Sequence, residues 1–134
     1  MRVVLDTNII VSAYLGGSLE AIIVAWKSGK FTLVVSAEIV DEYLSVLKRP
    51  KFKLELTEIE DFSALLLDKA EFVIPLEHVN AVIGDDTDNK FLDAAVTGDA
   101  DVIVSGDGHL LELKTFKDIS IITPRDFLLR LNES

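Results

Sequence analysis

Residues 2–13 read "RVVLDTNIIVSA": an apolar run that stops on Asp6, Thr7 and Asn8 and then resumes. The opening "RVVL" predicts a buried strand, and the three polar residues stand where that strand ends. Asp, Thr and Asn are the residue types that end strands and cap helices, which gives one reading of the interruption. In the other, the strand exists to hold Asp6 at the floor of a site. The two readings are separated by what the rest of the chain places beside Asp6.

The pattern that follows alternates. "SLEAIIVAWKSGK" (18–30) predicts a helix with Ser18 as its cap and Gly29 at its end, and "FTLVVS" (31–36) a second strand. A helix from about Ala37 to Lys48 is ended by Pro50. "TEIEDFSALLLDKA" (57–70) predicts another, with Thr57 and Glu60 spaced as a capping box. "EFVIP" (71–75) is a third strand, "DNKFLDAAVTGD" (88–99) a helix, and "DVIVS" (101–105) and "ISIIT" (119–123) two more strands. The last helix, "PRDFLLRLN" (124–132), opens with Thr123 as cap and Pro124 at its first position. Short, nearly continuous apolar strands separated by helices predict an α/β fold: a three-layer α/β/α sandwich around a mainly parallel, five-stranded sheet. No internal repeat, low-complexity stretch or linker interrupts it, and 134 residues suffice for one domain spanning 1–134.

Composition narrows the class. The chain has no cysteine, which excludes disulfides and cysteine-ligated zinc. No apolar run approaches the roughly 18 residues of a membrane span, and the N-terminus, with Asp6 inside it, does not read as a signal peptide. The expectation is a soluble, cytoplasmic protein with no membrane partner. An apolar fraction of 49% and a mean hydropathy of +0.35 are high for so charged a chain and point to an apolar surface used in a homodimer or higher homo-oligomer. The net charge of −10, from 23 acidic and 13 basic residues, argues against nucleic-acid binding through a broad basic face. It is equally what a site built to hold divalent cations produces, and a bound cation reverses the local sign. Positions therefore have to decide.

In open α/β sheets ligands bind beyond the carboxyl ends of the strands. Asp6 follows "VVL" and Asp107 follows "VIVSG", so both carboxylates fall there. Advancing about 100° per residue from Ile39 puts Val40, Tyr43, Leu44, Val46 and Leu47 on one arc, with Glu38 and Asp41 opposite. Glu42 lies at the border of the apolar arc, where it can reach inward over the sheet. Asp88, Phe91, Leu92 and Ala95 fall at i, i+3, i+4 and i+7, so Asp88 stands on the first turn of a core-facing stripe and needs a partner or a metal. Each acid also has an ordinary reading: Asp88 as a helix cap, Asp6 and Asp107 as turn formers, Glu42 as a solvated acid. Their coincidence at one rim favours the site. Four carboxylates make a hard-cation site suited to one or two Mg²⁺ or Mn²⁺ ions, of the kind that promote phosphodiester cleavage. Asn8 and Ser105 are placed to orient carboxylates or waters from outside the ligand shell.

"VVLDTNIIVSA", "SAEIVDEYLSVL", "DDTDNKFLDAA" and "ADVIVSGDGHLL", in that order and spacing, resemble the PIN-domain nucleases, and most closely their bacterial and archaeal VapC-type branch. The resemblance covers essentially the whole chain, including "RPKF" and "IITPRDFL". It implies a Mg²⁺- or Mn²⁺-dependent ribonuclease whose catalytic and metal-binding acidic quartet maps onto Asp6, Glu42, Asp88 and Asp107. It also implies a dimer silenced by a cognate antitoxin. Where relatives often carry Asp-Pro-Asp-Asp this chain has "DDTD", Asp85 to Asp88; Asp88 keeps the family's distance to Phe91 and Ala95 and takes the quartet role. Asp85 and Asp86 read as exposed turn residues or outer ligands.

Two further features bear on substrate. "KRPKFK" concentrates Lys48, Arg49, Lys51 and Lys53 just after the helix carrying Glu42. The cluster reads either as a grip on the RNA backbone or as cations complementing a helix end. His109, two residues after Asp107, is set aside as a general base because an activated water already supplies the nucleophile. Against the RNA-cleaving toxin stand a non-catalytic scaffold of the same fold and a housekeeping RNA-processing nuclease. A phosphoryl-accepting receiver domain is disfavoured: it would need paired acids after the first strand and a lysine after the last, and "LDTN" and "TPRD" supply neither.

Overall fold

The computed structural model describes residues 1–76 and 88–133; Asp85 and Asp86 lie outside them. The strands are β1 (Arg2–Leu5), β2 (Thr32–Val35), β3 (Glu71–Phe72), β4 (Val102–Val104), β5 (Thr115–Phe116) and β6 (Ile119–Ile122). The helices are α1 (Thr7–Tyr14), α2 (Glu20–Lys27), α3 (Ala37–Leu47), α4 (Leu56–Lys69), α5 (Asn89–Thr97), the single turn α6 (Gly108–Leu111) and α7 (Pro124–Glu133), with a 3-10 turn at Pro50–Phe52. The strands form one sheet in the order β3-β2-β1-β4-β6-β5, parallel throughout except for the β5–β6 hairpin.

The expected parallel α/β sandwich is therefore present, with six strands among the described residues rather than five. The added strand is a two-residue hairpin arm closed by Lys117 and Asp118, both with positive φ (48° and 68°). This is the conformation a tight hairpin turn demands, on residues that seldom advertise it.

The second half of "RVVLDTNIIVSA" is helix. Asp6, extended at φ −63° and ψ 150°, accepts a hydrogen bond from the Asn8 amide and starts α1. α1 buries Ile9, Ile10, Val11 and Ala13 and packs on α2 and α3. Ser18 does not cap α2. Gly16 and Gly17, at φ 85° and 135°, bring the chain round, and backbone turn bonds from Glu20 to Gly17 and from Ile22 to Leu19 close the start instead. α4 likewise begins before the predicted box: the Glu58 carboxylate reaches back to the Glu55 amide at 3.2 Å, so Glu55 and Glu58 frame the start in place of Thr57 and Glu60. Thr123 caps α7 as expected, its hydroxyl accepting from the Asp126 amide.

The core is apolar strand on apolar helix. Val3, Val4, Leu5, Leu33, Val34 and Val35 are fully buried, and α5 packs Phe91, Leu92, Ala94 and Ala95 across β1, β2 and β4. Phe62 of α4 gathers three aromatic rings, Tyr14 of α1 at 4.9 Å, Trp26 of α2 at 6.2 Å and Tyr43 of α3 at 6.1 Å between centroids. That cluster fixes α1 against α3 and so decides which side chains those two helices can present to each other.

Candidate active site

The strand order changes direction at β1: β2 and β3 lie on one side of it, β4 and β6 on the other. A crevice opens beyond the carboxyl ends of strands at such a switch point. Asp6 ends β1 there, and Ser105, Gly106 and Asp107 continue from β4.

Backbone pairing locks the two ends together. Leu5 pairs with Val104, the Asp6 amide donates to the Val104 carbonyl at 3.0 Å, and the Ser105 amide donates to the Ile122 carbonyl at 3.0 Å. Ser105, fully buried, then joins the acids: its hydroxyl donates to Asp6 Oδ2 at 2.6 Å and accepts from the Asp107 amide at 2.9 Å. The two carboxylate oxygens of Asp6 therefore have separate partners. Asp6 Oδ1 caps α1 through the Asn8 amide at 2.8 Å, while Oδ2 faces Ser105. Asp107 repeats the design, with Oδ1 accepting from the His109 amide at 2.7 Å to cap α6. Asn8 contributes its backbone amide to Asp6, and its residue surface is exposed.

Glu42 arrives from α3 at the border of the buried face, half-buried, while Glu38 and Asp41 face solvent. Its Oε2 accepts from the Thr7 hydroxyl, and its Oε1 pairs with Lys90 Nζ at 2.8 Å. One residue further along α3, the fully buried Tyr43 donates its phenol to the Leu5 carbonyl at 2.5 Å, holding the helix over the end of β1. Asp88 is buried at the N-cap position of α5 and makes no capping bond with its side chain. Lys90, two residues on, ties this first turn of α5 to Glu42. Asp93, one turn deeper on α5, is also buried.

The electrostatics mark this edge as over-supplied with negative charge. Burial raises the Asp6 carboxyl above its ordinary value and outweighs the bonds from Ser105 and Asn8; the charges of Asp107 and Glu42 push the same way. Burial, then Asp6 and Glu42, raise the Tyr43 phenol well above its usual range and keep it a donor. Glu42 and Asp107 thus each lie within electrostatic reach of Asp6, and all three are hard oxygen donors. In donor chemistry they fit a small divalent cation. Among the described residues no three Asp, Glu or His side chains are already gathered to hold one, and Glu42 is turned to Thr7 and Lys90.

Sequence reasoning did not single out Thr7, Tyr43 or Lys90 for this site. Tyr43 sits on the apolar arc and reads as core. Lys90 carried a usable signal: a cation in the first turn of a helix opposes the macrodipole and calls for a partner. The basic residues Lys48, Arg49, Lys51 and Lys53 are all exposed, running from the end of α3 through the 3-10 turn.

Among the described residues no helix is long and apolar enough to cross a membrane. No curated protein matches the chain. Among solved structures, it is similar to a chain of the crystal structure of VapBC2 from Rickettsia felis bound to a DNA fragment from their promoter. The TM-score is 0.56 at 15% identity, over 92% of this chain and 98% of that one. The family model described as PIN domain matches residues 2–109, the stretch that holds Asp6, Glu42, Asp88 and Asp107, and the chain accordingly belongs to the PIN domain family.

Proposed function

We propose that the protein is a metal-dependent endoribonuclease, with Asp6, Glu42, Asp88 and Asp107 as its catalytic carboxylates. The observation that carries this reading is Asp6 itself: a buried carboxylate at the switch point of the sheet, joined to Asp107 through Ser105 and raised in pKa partly by its acidic neighbours. Membership of the PIN family supports it.

Asp6 and Asp107 would hold Mg²⁺ or Mn²⁺ directly, with Asp88 and Glu42 completing the shell. A divalent cation, when bound, supplies charge neutralisation toward the phosphodiester and acidifies a water. The chain's own residues do the rest. Ser105 fixes the orientation of Asp6 and of the loop carrying Asp107, Thr7 orients Glu42, and Tyr43 sets the height of α3 over β1. Lys48, Arg49, Lys51 and Lys53 offer the phosphate backbone a cationic track leading from the end of α3.

The similarity to VapBC2 supports a toxin role, in which a cognate antitoxin binds this chain. Exposed Leu15, Val24 and Leu129 provide apolar surface for a homodimer or for such a partner. A small gene for a DNA-binding antitoxin beside this one would support the toxin role; its absence would favour RNA processing.

The test is cleavage of single-stranded and structured RNAs by the purified chain with Mn²⁺, Mg²⁺ or a chelator, alongside Asp6→Asn. The proposal predicts metal-dependent cleavage that Asp6→Asn abolishes. No cleavage under any condition, with no metal uptake by calorimetry, would leave the non-catalytic scaffold as the better account.

A further inference from the structure

Lys90 occupies a place where helix electrostatics disfavour a cation. It is the second residue of α5, whose amino end carries the positive pole of the backbone dipoles. Its side chain is only 12% exposed and its Nζ lies 2.8 Å from Glu42 Oε1, while Thr7 occupies Oε2. An exposed lysine could satisfy itself with water. This one is held inside, against the local dipole, by the surplus of carboxylates at the carboxyl edge of the sheet.

We propose that Lys90 is a positioning residue: a tethered counter-cation that holds Glu42 in the metal-free protein and yields it when a divalent cation enters. The proposal rests on the metal-dependent reading above. Without a cation, Glu42 and Asp107 each repel Asp6, and the Lys90 ammonium offsets the charge of Glu42. Its side chain suits a contact that must break. Lysine offers a point charge on a flexible stem, whereas arginine would grip both carboxylate oxygens in a rigid fork. The same Nζ also lies 5.1 Å from the centre of the Phe91 ring, a contact that does not require Glu42. The ammonium and the divalent cation thus compete for the same oxygen. Removing the first should strengthen the second while weakening the empty fold.

Calorimetric titration of the full chain with Mn²⁺ alone tests this. Lys90→Met, which keeps the apolar stem, should bind Mn²⁺ about tenfold more tightly than the native chain. Lys90→Arg should match the native affinity or fall below it. The metal-free Lys90→Met protein should also melt below the native one, with the gap closing at saturating Mn²⁺. A merely structural lysine would lower melting temperature and metal affinity together. Equal or weaker Mn²⁺ binding by Lys90→Met overturns the proposal and leaves the metal reading standing; no Mn²⁺ binding by the native chain removes both. Should Lys90→Met fail to fold, the Lys90 Cε resonance of the native chain decides. It should move during a Mg²⁺ titration with the midpoint calorimetry gives, and a resonance that stays still overturns the proposal.

Discussion

The two edges of the sheet use charge in opposite ways. At the amino edge, Arg2 closes its own account: its guanidinium pairs with Glu71 and donates from Nε to the Gly98 carbonyl at 2.7 Å, while its backbone amide donates to Asp101 Oδ2 at 2.7 Å. At the carboxyl edge Asp6, Glu42 and Asp107 are served by hydroxyls, backbone amides and the ammonium of Lys90, and negative charges crowd Asp6. The amino edge is organised to hold the chain together. The carboxyl edge gathers buried and like charges, a cost to folding that the proposed function accounts for.

Breaking that contrast at its centre should give the largest effect. Asp6→Asn should lower RNA cleavage by at least about a thousandfold, since the loss of one anionic ligand removes charge the cation needs. The same change should raise the melting temperature of the metal-free protein by a few degrees, of order 1 kcal/mol. The geometry allows it: an amide can accept from the Asn8 amide and donate to the Ser105 hydroxyl. The pH dependence has a definite sign. Because the folded-state pKa of Asp6 is raised above 3.8, its protonated form favours the fold. That stabilisation is fully present below about pH 3.8 and is lost as pH rises through the raised value. The advantage of Asp6→Asn over the native chain should therefore be greatest at neutral pH and shrink toward pH 4 in calorimetric melts.

At the amino edge a change should cost stability and leave chemistry alone. A methyl group added at Gly98 would stand 2.6 Å from Val34 Cγ1 and 3.0 Å from the Ala94 carbonyl. Gly98→Ala should destabilise by about 2 kcal/mol and lower melting by roughly 6–10 °C, with Mn²⁺ affinity unchanged by calorimetry. Tyr43→Phe sharpens the other side of the comparison, because it removes a neutral hydrogen bond next to the acids. A loss of about 1–2 kcal/mol is expected in denaturant unfolding. Replacing Lys48, Arg49, Lys51 and Lys53 together by Gln should leave melting nearly unchanged and reduce the salt dependence of RNA binding, the log–log slope falling by about 3. The smallest effect belongs to Glu71→Gln, about 0.5 kcal/mol, since its pair with Arg2 is half-exposed and solvent screens it.

Much of this contrast was legible in the sequence, for local reasons. Apolar strands announced the parallel sheet, and the rule for open α/β folds placed Asp6 and Asp107 at one rim. Helix periodicity separated Glu42 from Asp41. What escaped was settled by tertiary contact. "TNIIVSAY" is rich in β-branched residues, and the alternating pattern assigned it no element; Asp6 capping and packing against α2 and α3 make it α1. The role of Thr7 depends on a partner 35 residues away, and that of Lys90 on α5 meeting α3. Neither spacing has a sequence period. The capping box moved by two residues with its i, i+3 spacing intact, hidden because Glu55 is not one of the Ser, Thr, Asp or Asn residues that usually cap.

The most direct test of the central claim compares the native chain with Asp6→Asn on one RNA, with and without Mn²⁺, after circular dichroism has established that both are folded. Metal-dependent cleavage by the native chain and none by Asp6→Asn is the predicted result. Cleavage by Asp6→Asn at the native rate would contradict the assignment of Asp6 as the anchor of the site.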